Sequence, residues 1–313
     1  MVRAFVFPGQ GSQSVGMGRE LAGAFSVARR VFEEVDDALH QPLFRLMLEG
    51  PEAELTLTEN AQPALMAVSL AVIRVLEEDG GFDLPRRLAF VAGHSLGEYA
   101  ALAAARSFPL ADAARLLKRR GRAMQRAVPV GVGAMAAILH LDLDAVRAVA
   151  EDAAQGEVCS VANDNAPGQI VVSGHKAAVE RAVGLAAERG ARRSILLPVS
   201  APFHCPLMAP AAEEMRTALA EVAILPPSVR LVANVTAGPE STPEAIRRRL
   251  VEQVTGLVRW RESVLYMKQA GVDTVVEIGA GRVLSGLVRR IDGELAVAAI
   301  EKPADIEAFL KTA

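Results

Sequence analysis

Two stretches of the chain, one at each end, alternate short apolar runs with longer helical patterns. Because strands separated by helices pair in parallel, this order predicts an α/β unit with a mostly parallel sheet. The predicted strands lie at residues 3–7, 87–92, 229–233, 274–278 and 295–299, and the predicted helices include residues 19–39, 61–78 and a run from residue 96.

The middle of the chain has a different order. It predicts strand, helix, strand, strand, helix and strand at residues 134–139, 143–153, 157–162, 169–173, 177–189 and 193–199. This β-α-β-β-α-β order is ferredoxin-like, and glycine and proline cluster on both sides of it, as where a chain passes between units. We therefore expect a discontinuous α/β domain of residues 1–130 and 199–313, interrupted by an inserted ferredoxin-like domain of residues 131–198.

Composition excludes several classes of protein. The chain has 313 residues, 51% hydrophobic and 23% charged, which is typical of a globular protein. The two cysteines, Cys159 and Cys205, cannot build a disulfide framework or a four-thiolate zinc site, so we expect a reducing, cytoplasmic location. The net charge of -3 argues against nucleic-acid binding. The start of the chain lacks a signal-peptide pattern, and no apolar run reaches the length of a membrane span.

The strongest local motif is Gly93-His94-Ser95-Leu96-Gly97, between a predicted strand and an alanine-rich helical run. In this context the motif predicts a nucleophile elbow, in which Ser95 projects from a strained turn. The amide of Leu96 would lie at the start of the helix, where it could donate to a developing oxyanion. The alternative is a glycine-rich turn whose serine only caps the helix.

A serine nucleophile requires a base, and the chain contains five histidines. His94 is poorly placed, because its side chain diverges from that of the adjacent Ser95. His40, His140 and His175 border helices or polar loops, where solvated histidines are common. His204 lies between two prolines, where a rigid loop could hold its imidazole over the elbow, although a core histidine bonded to a carbonyl is an equal alternative.

Six motifs in order resemble the malonyl-CoA:acyl carrier protein transacylase family, and the resemblance covers nearly the whole chain. It implies a hydrolase-like α/β domain with a ferredoxin-like insert. The motifs are FPGQGSQ at residues 7–13, GHSLGEY at 93–99, RGRAMQ at 120–125, GAMAA at 133–137, NAPGQ at 165–169 and FHCPLM at 203–208.

The resemblance assigns roles to individual residues. It makes Ser95 the nucleophile and His204 its base, with the backbone amides of Gln10 and Leu96 forming the oxyanion hole. Arg120 would bind the free malonyl carboxylate, for which a planar guanidinium suits better than a lysine. Without the resemblance, Arg120 would be interpreted as part of a solvated basic helix face.

The same resemblance implies roles for Gln253, Phe203 and Asn165. Gln253 matches the position whose main-chain carbonyl accepts a hydrogen bond from the catalytic histidine. Leu257 departs from the family, which often has proline there, so the carbonyl could be aimed less well. Phe203 and Asn165 are expected to bind substrate, and a phenylalanine at 203 resembles the malonyl-selective pattern.

The implied reaction is transfer of a malonyl group from malonyl-CoA to the phosphopantetheine thiol of acyl carrier protein, as in fatty acid biosynthesis, through a malonyl-serine intermediate. No cofactor or metal is expected, and we expect a cytoplasmic monomer that binds neither nucleic acid nor membrane. The acidic carrier protein would need a basic face, for which the candidates are Arg189, Arg192, Arg193, Arg289 and Arg290. The alternatives are a serine esterase or thioesterase of similar fold and a non-enzymatic scaffold.

Overall fold

The computed structural model describes residues 1–312 and follows the predicted alternation closely. The first part of the chain forms β1 (Arg3–Phe7), α1 (Arg19–Ala24), α2 (Ser26–Leu39), α3 (Leu43–Glu49), α4 (Glu52–Thr56), α5 (Thr58–Glu78), α6 (Leu84–Arg87), β2 (Leu88–Gly93), α7 (Gly97–Ala104) and α8 (Leu110–Ala127). The middle forms β3 (Gly133–Leu139), α9 (Leu143–Ala154), β4 (Cys159–Ala166), β5 (Gln169–His175), α10 (Lys176–Glu188) and β6 (Arg193–Leu196). The last part forms α11 (Ala209–Ala220), β7 (Arg230–Ala233), β8 (Gly238–Glu240), α12 (Pro243–Thr255), α13 (Trp260–Gln269), β9 (Thr274–Ile278), α14 (Val283–Ile291), β10 (Ala296–Ile300) and α15 (Pro303–Leu310).

The two ends of the chain build one sheet in the order β10-β9-β1-β2-β7-β8. Its strands pair in parallel except for β8, which runs antiparallel to β7 at the edge. The α/β class with a mostly parallel sheet is therefore confirmed. Since β2 lies between β1 and β7, the turn that follows β2 opens at the carboxyl edge of the sheet, where ligands bind in such folds.

Helices cover both faces of this sheet. On one face, α5 is buried over almost its whole length and packs with α2, α8 and the side chains of Phe5 and Phe7. On the other face, Trp260 and its neighbours on α13 and α14 form a smaller core. Apolar burial on both faces explains the continuous hydrophobic runs of the central strands.

The structure differs from the predicted elements at a few places. The helix expected at residues 19–39 is two helices, because Phe25 has an extended backbone that separates α1 from α2. The last strand of the insert ends at Leu196 rather than residue 199. The short edge strand β8 and helices α3 and α4 were not predicted, since each is too brief to show a periodic pattern.

The insert has its own antiparallel sheet, in the order β4-β5-β3-β6. Ala136 and Ile138 of β3 face α9 and α10 and form a separate apolar core, while the alternating residues Met135 and Ala137 face the opposite way. Two-residue alternation is the expected property of a strand. The observed β-α-β-β-α-β order is the predicted one; that residues 131–198 form a domain of their own stays a prediction.

Strand β4 ties the insert to the rest of the molecule. The amide of Val258 donates to the carbonyl of Ala162 (2.9 Å), and the amide of Asp164 donates to the carbonyl of Val258 (3.0 Å). Asp164 is fully buried and paired with Arg261 at 2.8 Å. The loop after α12 is thus anchored to β4 through both the amide and the carbonyl of Val258.

None of the helices within residues 1–312 has both the length and the apolar character required to cross a membrane.

Candidate active site

A cleft of about 490 Å³ lies between the carboxyl edge of the parallel sheet and the face of the insert sheet that α9 and α10 leave uncovered. Its floor contains the elbow after β2, and its walls come from the loop after β1, from α8 and from the insert. The cleft is lined by every side chain predicted for the site except Gln253, namely Gln10, Ser95, Leu96, Arg120, Asn165, Phe203 and His204.

The elbow depends on glycines at 93 and 97. A Cβ at Gly93 would lie 2.0 Å from the backbone of Gly97, and a Cβ at Gly97 would lie 2.2 Å from the carbonyl oxygen of Phe7. Both distances are far too short for any side chain. The glycines allow the turn to close tightly against β1, which is the role that the sequence motif predicts.

Ser95 sits at the apex of this turn with a positive φ of 54°, a conformation that costs a non-glycine residue energy. The side chain of Asn234, just after β7, holds the turn in place. Its Oδ1 accepts from the amide of Ser95 (2.8 Å), and its Nδ2 donates to the carbonyl of Gly93 (2.6 Å). The neighbouring strand therefore supports the strained backbone through one amide side chain.

His204 approaches the serine from the loop that follows the insert. Its Nε2 lies 2.8 Å from Ser95 Oγ, and its Nδ1 lies 2.9 Å from the carbonyl oxygen of Gln253. Because a carbonyl can only accept, Nδ1 carries the proton and Nε2 presents a lone pair to the serine. The imidazole is thus oriented as a general base.

Gln253 lies in the last turn of α12, which ends at Thr255. Carbonyls in the last turn of a helix lack partners within the helix, so this one is free to accept from the histidine. The anchored loop at Val258 follows within five residues, so the leucine at 257 does not leave the chain loose here. With leucine rather than proline at 257, the carbonyl oxygen of Gln253 still lies within hydrogen-bond distance of His204 Nδ1.

Burial makes His204 a neutral group. The imidazole is 4% exposed, and burial, together with the positive charge of Arg120, lowers the pKa of His204 to about 3. A neutral imidazole is the form that can accept a proton from serine.

Arg120 reaches the site from α8, fully buried against the ring of Tyr99. Its guanidinium donates to Gln62 Oε1 (2.8 Å), to Gln253 Oε1 (2.8 Å) and to Ser95 Oγ (3.1 Å). These acceptors are neutral, and burial lowers the pKa of Arg120. A buried cation held only by neutral groups is suited to bind an anion beside the serine.

The predicted oxyanion hole consists of the backbone amides of Gln10 and Leu96, two residues that line the same cleft as Ser95. Within residues 1–312, neither the amide of Gln10 nor that of Leu96 has a hydrogen-bond acceptor. The side chain of Gln10 is held in place by Thr58, whose hydroxyl donates to Oε1 at 2.8 Å. Two unengaged amides, that of Leu96 at the start of α7 and that of Gln10 in the loop after β1, can stabilise an oxyanion.

Phe203 and Asn165 form part of the wall contributed by the insert side. Phe203 packs against the apolar cluster that contains Met135 and Val171, and it lines the cleft together with His204. Asn165 Oδ1 lies 2.8 Å from His94 Nε2, so its oxygen already has a partner. His94 thus links the elbow to β4 of the insert, and its Nε2 is not directed at Ser95 Oγ.

Comparison with known proteins identifies the family. The family model described as acyl transferase domain matches residues 4–294. The chain belongs to this family.

Curated relatives of this acyl transferase match over nearly their full length. The chain is 45% identical to the malonyl CoA-acyl carrier protein transacylase of Escherichia coli strain K12, with 98% of both chains covered. It is also 45% identical to that of Bacillus subtilis strain 168, covering 99% of this chain and 96% of the relative. The resemblance found in the sequence motifs is confirmed.

Solved structures give the same result. The acyl-carrier-protein-S-malonyltransferase of Bartonella henselae superposes with a TM-score of 0.98 at 54% identity, with 100% of this chain and 99% of that chain covered. A malonyl-transacylase solved in complex with its type II PKS acyl-carrier protein superposes with a TM-score of 0.97 at 43% identity, over 100% of both chains.

Three polar residues of this acyl transferase site were not found from the sequence: Gln62, Glu98 and Asn234. Gln62 interrupts an apolar stretch of α5 and is buried, and a buried amide in a helix requires a partner. Glu98 follows the elbow motif directly, and Asn234 follows a strand that ends at the same sheet edge as β2. Position at that edge is the signal that could have identified Asn234.

Cys205 and His175 make hydrogen bonds to the backbone, and neither is hydrogen-bonded to Ser95. The thiol of Cys205 is buried and donates to the carbonyl of Pro202 (3.2 Å), and burial raises its pKa. His175 Nδ1 accepts from the amide of Val158 at 2.9 Å. In the part of the chain that the structure describes, no group of three or more His, Cys, Asp or Glu side chains could hold a metal ion.

Proposed function

We propose that this acyl transferase moves a malonyl group from malonyl-CoA to the phosphopantetheine thiol of acyl carrier protein through an ester on Ser95. The observation that carries the proposal is the arrangement around Ser95 Oγ. His204 Nε2 lies at 2.8 Å and the buried guanidinium of Arg120 at 3.1 Å. One group can take the serine proton, and the other can bind a carboxylate.

Acylation starts when Ser95 Oγ attacks the thioester carbonyl and its proton moves to His204 Nε2. The new C–O bond produces a tetrahedral oxyanion, which the amides of Gln10 and Leu96 are placed to stabilise. The C–S bond then breaks, and the imidazolium returns its proton to the departing sulfur of CoA. The thiol of the carrier protein reverses these steps and regenerates Ser95.

The position of Arg120 favours a malonyl group over an unsubstituted acyl group. In a malonyl thioester the carboxylate is separated from the reacting carbonyl by one methylene. An anion at that distance from Ser95 Oγ comes within reach of a guanidinium that itself lies 3.1 Å from the same oxygen. Phe203, in the same cleft, would crowd a methyl branch on that methylene.

The fold details fit the same proposal. A nucleophile elbow in the middle of a mostly parallel sheet supports a hydrolase-like architecture for the large unit, and the strand order of the insert supports a ferredoxin-like unit. The proposed chemistry uses CoA as substrate and needs no resident cofactor. One chain supplies all the side chains named, so we keep the expectation of a monomer.

The deciding experiment is the intact mass of the protein after mixing with malonyl-CoA. We expect an increment of one malonyl group on the wild type and none on Ser95→Ala. Adding holo carrier protein should then remove the increment and transfer it to the carrier. An adduct that persists in Ser95→Ala would place the nucleophile elsewhere. Release of CoA at the same rate with and without carrier protein would instead favour the serine esterase or thioesterase.

We further expect salt to slow the carrier-protein half-reaction more than acylation by malonyl-CoA. The candidate arginines are exposed, and an acidic partner would be attracted to them over a range of about 8 to 10 Å at physiological salt. Arg189 is already paired with Asp152, whereas Arg192 borders a surface cleft of the insert. Arg192→Glu should therefore slow transfer to the carrier more than Arg189→Glu does. Stopped-flow rates of the two half-reactions between 50 and 500 mM NaCl test this, and a second half-reaction indifferent to salt contradicts it.

A further inference from the structure

Glu98 is a buried acid that the proposed mechanism does not use. It lies in the first turn of α7, three residues after Ser95, and is 1% exposed. Its Oε2 accepts from Gln253 Nε2 (2.7 Å) and from the amide of Asn234 (3.2 Å), while Oε1 has no partner within residues 1–312. A buried carboxyl without a cation in contact is unusual in proteins.

The side chain of Gln253 connects Glu98 to Arg120. Its Nε2 donates to Glu98 and to the carbonyl of Ser95 (3.0 Å), and its Oε1 accepts from Arg120. The amide has one favourable orientation only. Rotating it by 180° would place its oxygen against two acceptors and its N–H groups against the guanidinium. The negative and positive side chains therefore face each other across one polarised amide.

We propose that Glu98 is the internal counter-ion of Arg120 and a positioning residue for Gln253, and that a carboxylate bound by Arg120 draws a proton from solvent onto Glu98. The inference rests on the proposed function, because it takes the malonyl carboxylate as the anion. In the free protein above pH 7, where Glu98 is ionised, the charges of Glu98 and Arg120 balance. When a substrate carboxylate pairs with Arg120, the site holds two negative charges and one positive charge, and protonation of Glu98 restores the balance.

The surroundings of Glu98 determine the direction of this effect. Burial raises the pKa of Glu98 to about 7, Arg120 from α8 lowers it, and Glu240 from β8 raises it. Tyr99, next to Glu98 on α7, has a pKa raised by burial, so the phenol stays neutral. A substrate carboxylate at Arg120 offsets the lowering effect of that guanidinium. The pKa of Glu98 then rises further, and binding is coupled to proton uptake.

The consequence is a pH-dependent preference between malonyl and neutral acyl groups. Below pH 7, Glu98 is already protonated, and malonyl binds without an added cost. Above pH 7, malonyl binding must also bring in a proton, so it weakens by up to about tenfold per pH unit until the pKa of the complex is reached. Acetyl has no carboxylate, so its binding lacks this dependence.

The test is the ratio of kcat/KM for malonyl-CoA to kcat/KM for acetyl-CoA between pH 6 and 9. The pKa of His204, at about 3, lies well below this range, and partial unfolding affects both substrates and cancels in the ratio. We expect the ratio to fall several-fold to tenfold above pH 7 in the wild type and in the control Glu240→Gln. In Glu98→Gln, which keeps an acceptor for Gln253 but has no charge to titrate, we expect a ratio that does not vary with pH.

A second measurement does not depend on the Glu98 variant. Calorimetric titration of Ser95→Ala at pH 7.5, in two buffers of different ionisation enthalpy, counts the protons taken up. We expect net uptake with malonyl-CoA relative to acetyl-CoA. Equal proton counts, a flat ratio in the wild type, or the same pH dependence in Glu98→Gln would each overturn the role of Glu98. Absence of malonyl transfer by the wild type at every pH would instead overturn the proposed function and this inference with it.

Discussion

His204→Ala should lose most acyl transfer while the protein stays folded. A positioned general base contributes on the order of 100 to 10,000-fold to the rate. Within residues 1–312, His204 is the only histidine whose ring forms a hydrogen bond with Ser95 Oγ. His94, the nearest alternative in the sequence, has its Nε2 engaged with Asn165. Rapid-quench measurement of serine acylation by malonyl-CoA gives the rate, and circular dichroism gives the fold.

His140→Ala is a matched control for this variant. His140 and His204 both have a positive φ, at 72° and 57°, so the change to alanine has a similar backbone cost at both positions. His140 is exposed and lies outside the cleft around Ser95. We expect acylation by the control at close to the wild-type rate. Near-normal acylation by His204→Ala at neutral pH would mean that another group is the base.

Arg120→Ala should reduce malonyl transfer far more than acetyl transfer. A charge-assisted hydrogen bond contributes about 1.5 to 3 kcal/mol net, which corresponds to about ten-fold to over a hundred-fold in kcat/KM. Acetyl-CoA has no carboxylate and cannot lose this contribution. The variant should therefore narrow or invert the preference, as measured by kcat/KM for both thioesters.

The adjacent Arg119 offers the control. It lies on the outer side of α8 and pairs with Glu214 and Glu221, away from the cleft. Arg119→Ala should leave the preference between the two thioesters unchanged. Arg120→Lys keeps the charge but not the planar fork, so we expect it to recover only part of the preference. Equal losses for malonyl and acetyl in Arg120→Ala would mean that Arg120 supports the fold, since Gln62 and Gln253 would lose their donor.

The elbow and the fold class could be predicted from the sequence because their causes are local. Gly93 and Gly97 form a short motif whose meaning can be read from the segment itself, although Gly97 also meets the carbonyl of Phe7 on β1, and the strands and helices show their periodicity directly. From its spacing alone, His204 could equally be the catalytic base or a core histidine bonded to a carbonyl. Its partner, the main-chain carbonyl of Gln253, leaves no side-chain signature in the sequence. Arg120 could be selected only by resemblance, because its neighbours on α8 are also basic.

The supporting polar residues were missed for a different reason. Gln62, Glu98 and Asn234 come from three distant parts of the chain, and each is ordinary in its own local sequence. Only the folded sheet and helices bring them around Ser95 and Arg120. The break in the first helix at Phe25 was missed because both halves have the same apolar periodicity.

The carbonyl of Gln253 under the imidazole limits which leaving groups the site can expel. A carboxylate would stabilise a full imidazolium charge, whereas a carbonyl offers only a dipole. A thiol has an ordinary pKa of about 8.5, so the departing sulfur depends less on proton donation from the imidazolium than an amine, which must receive a complete proton before it can leave. The arrangement thus fits the proposed exchange between thioesters and an ester on Ser95 better than it would fit cleavage of amide bonds.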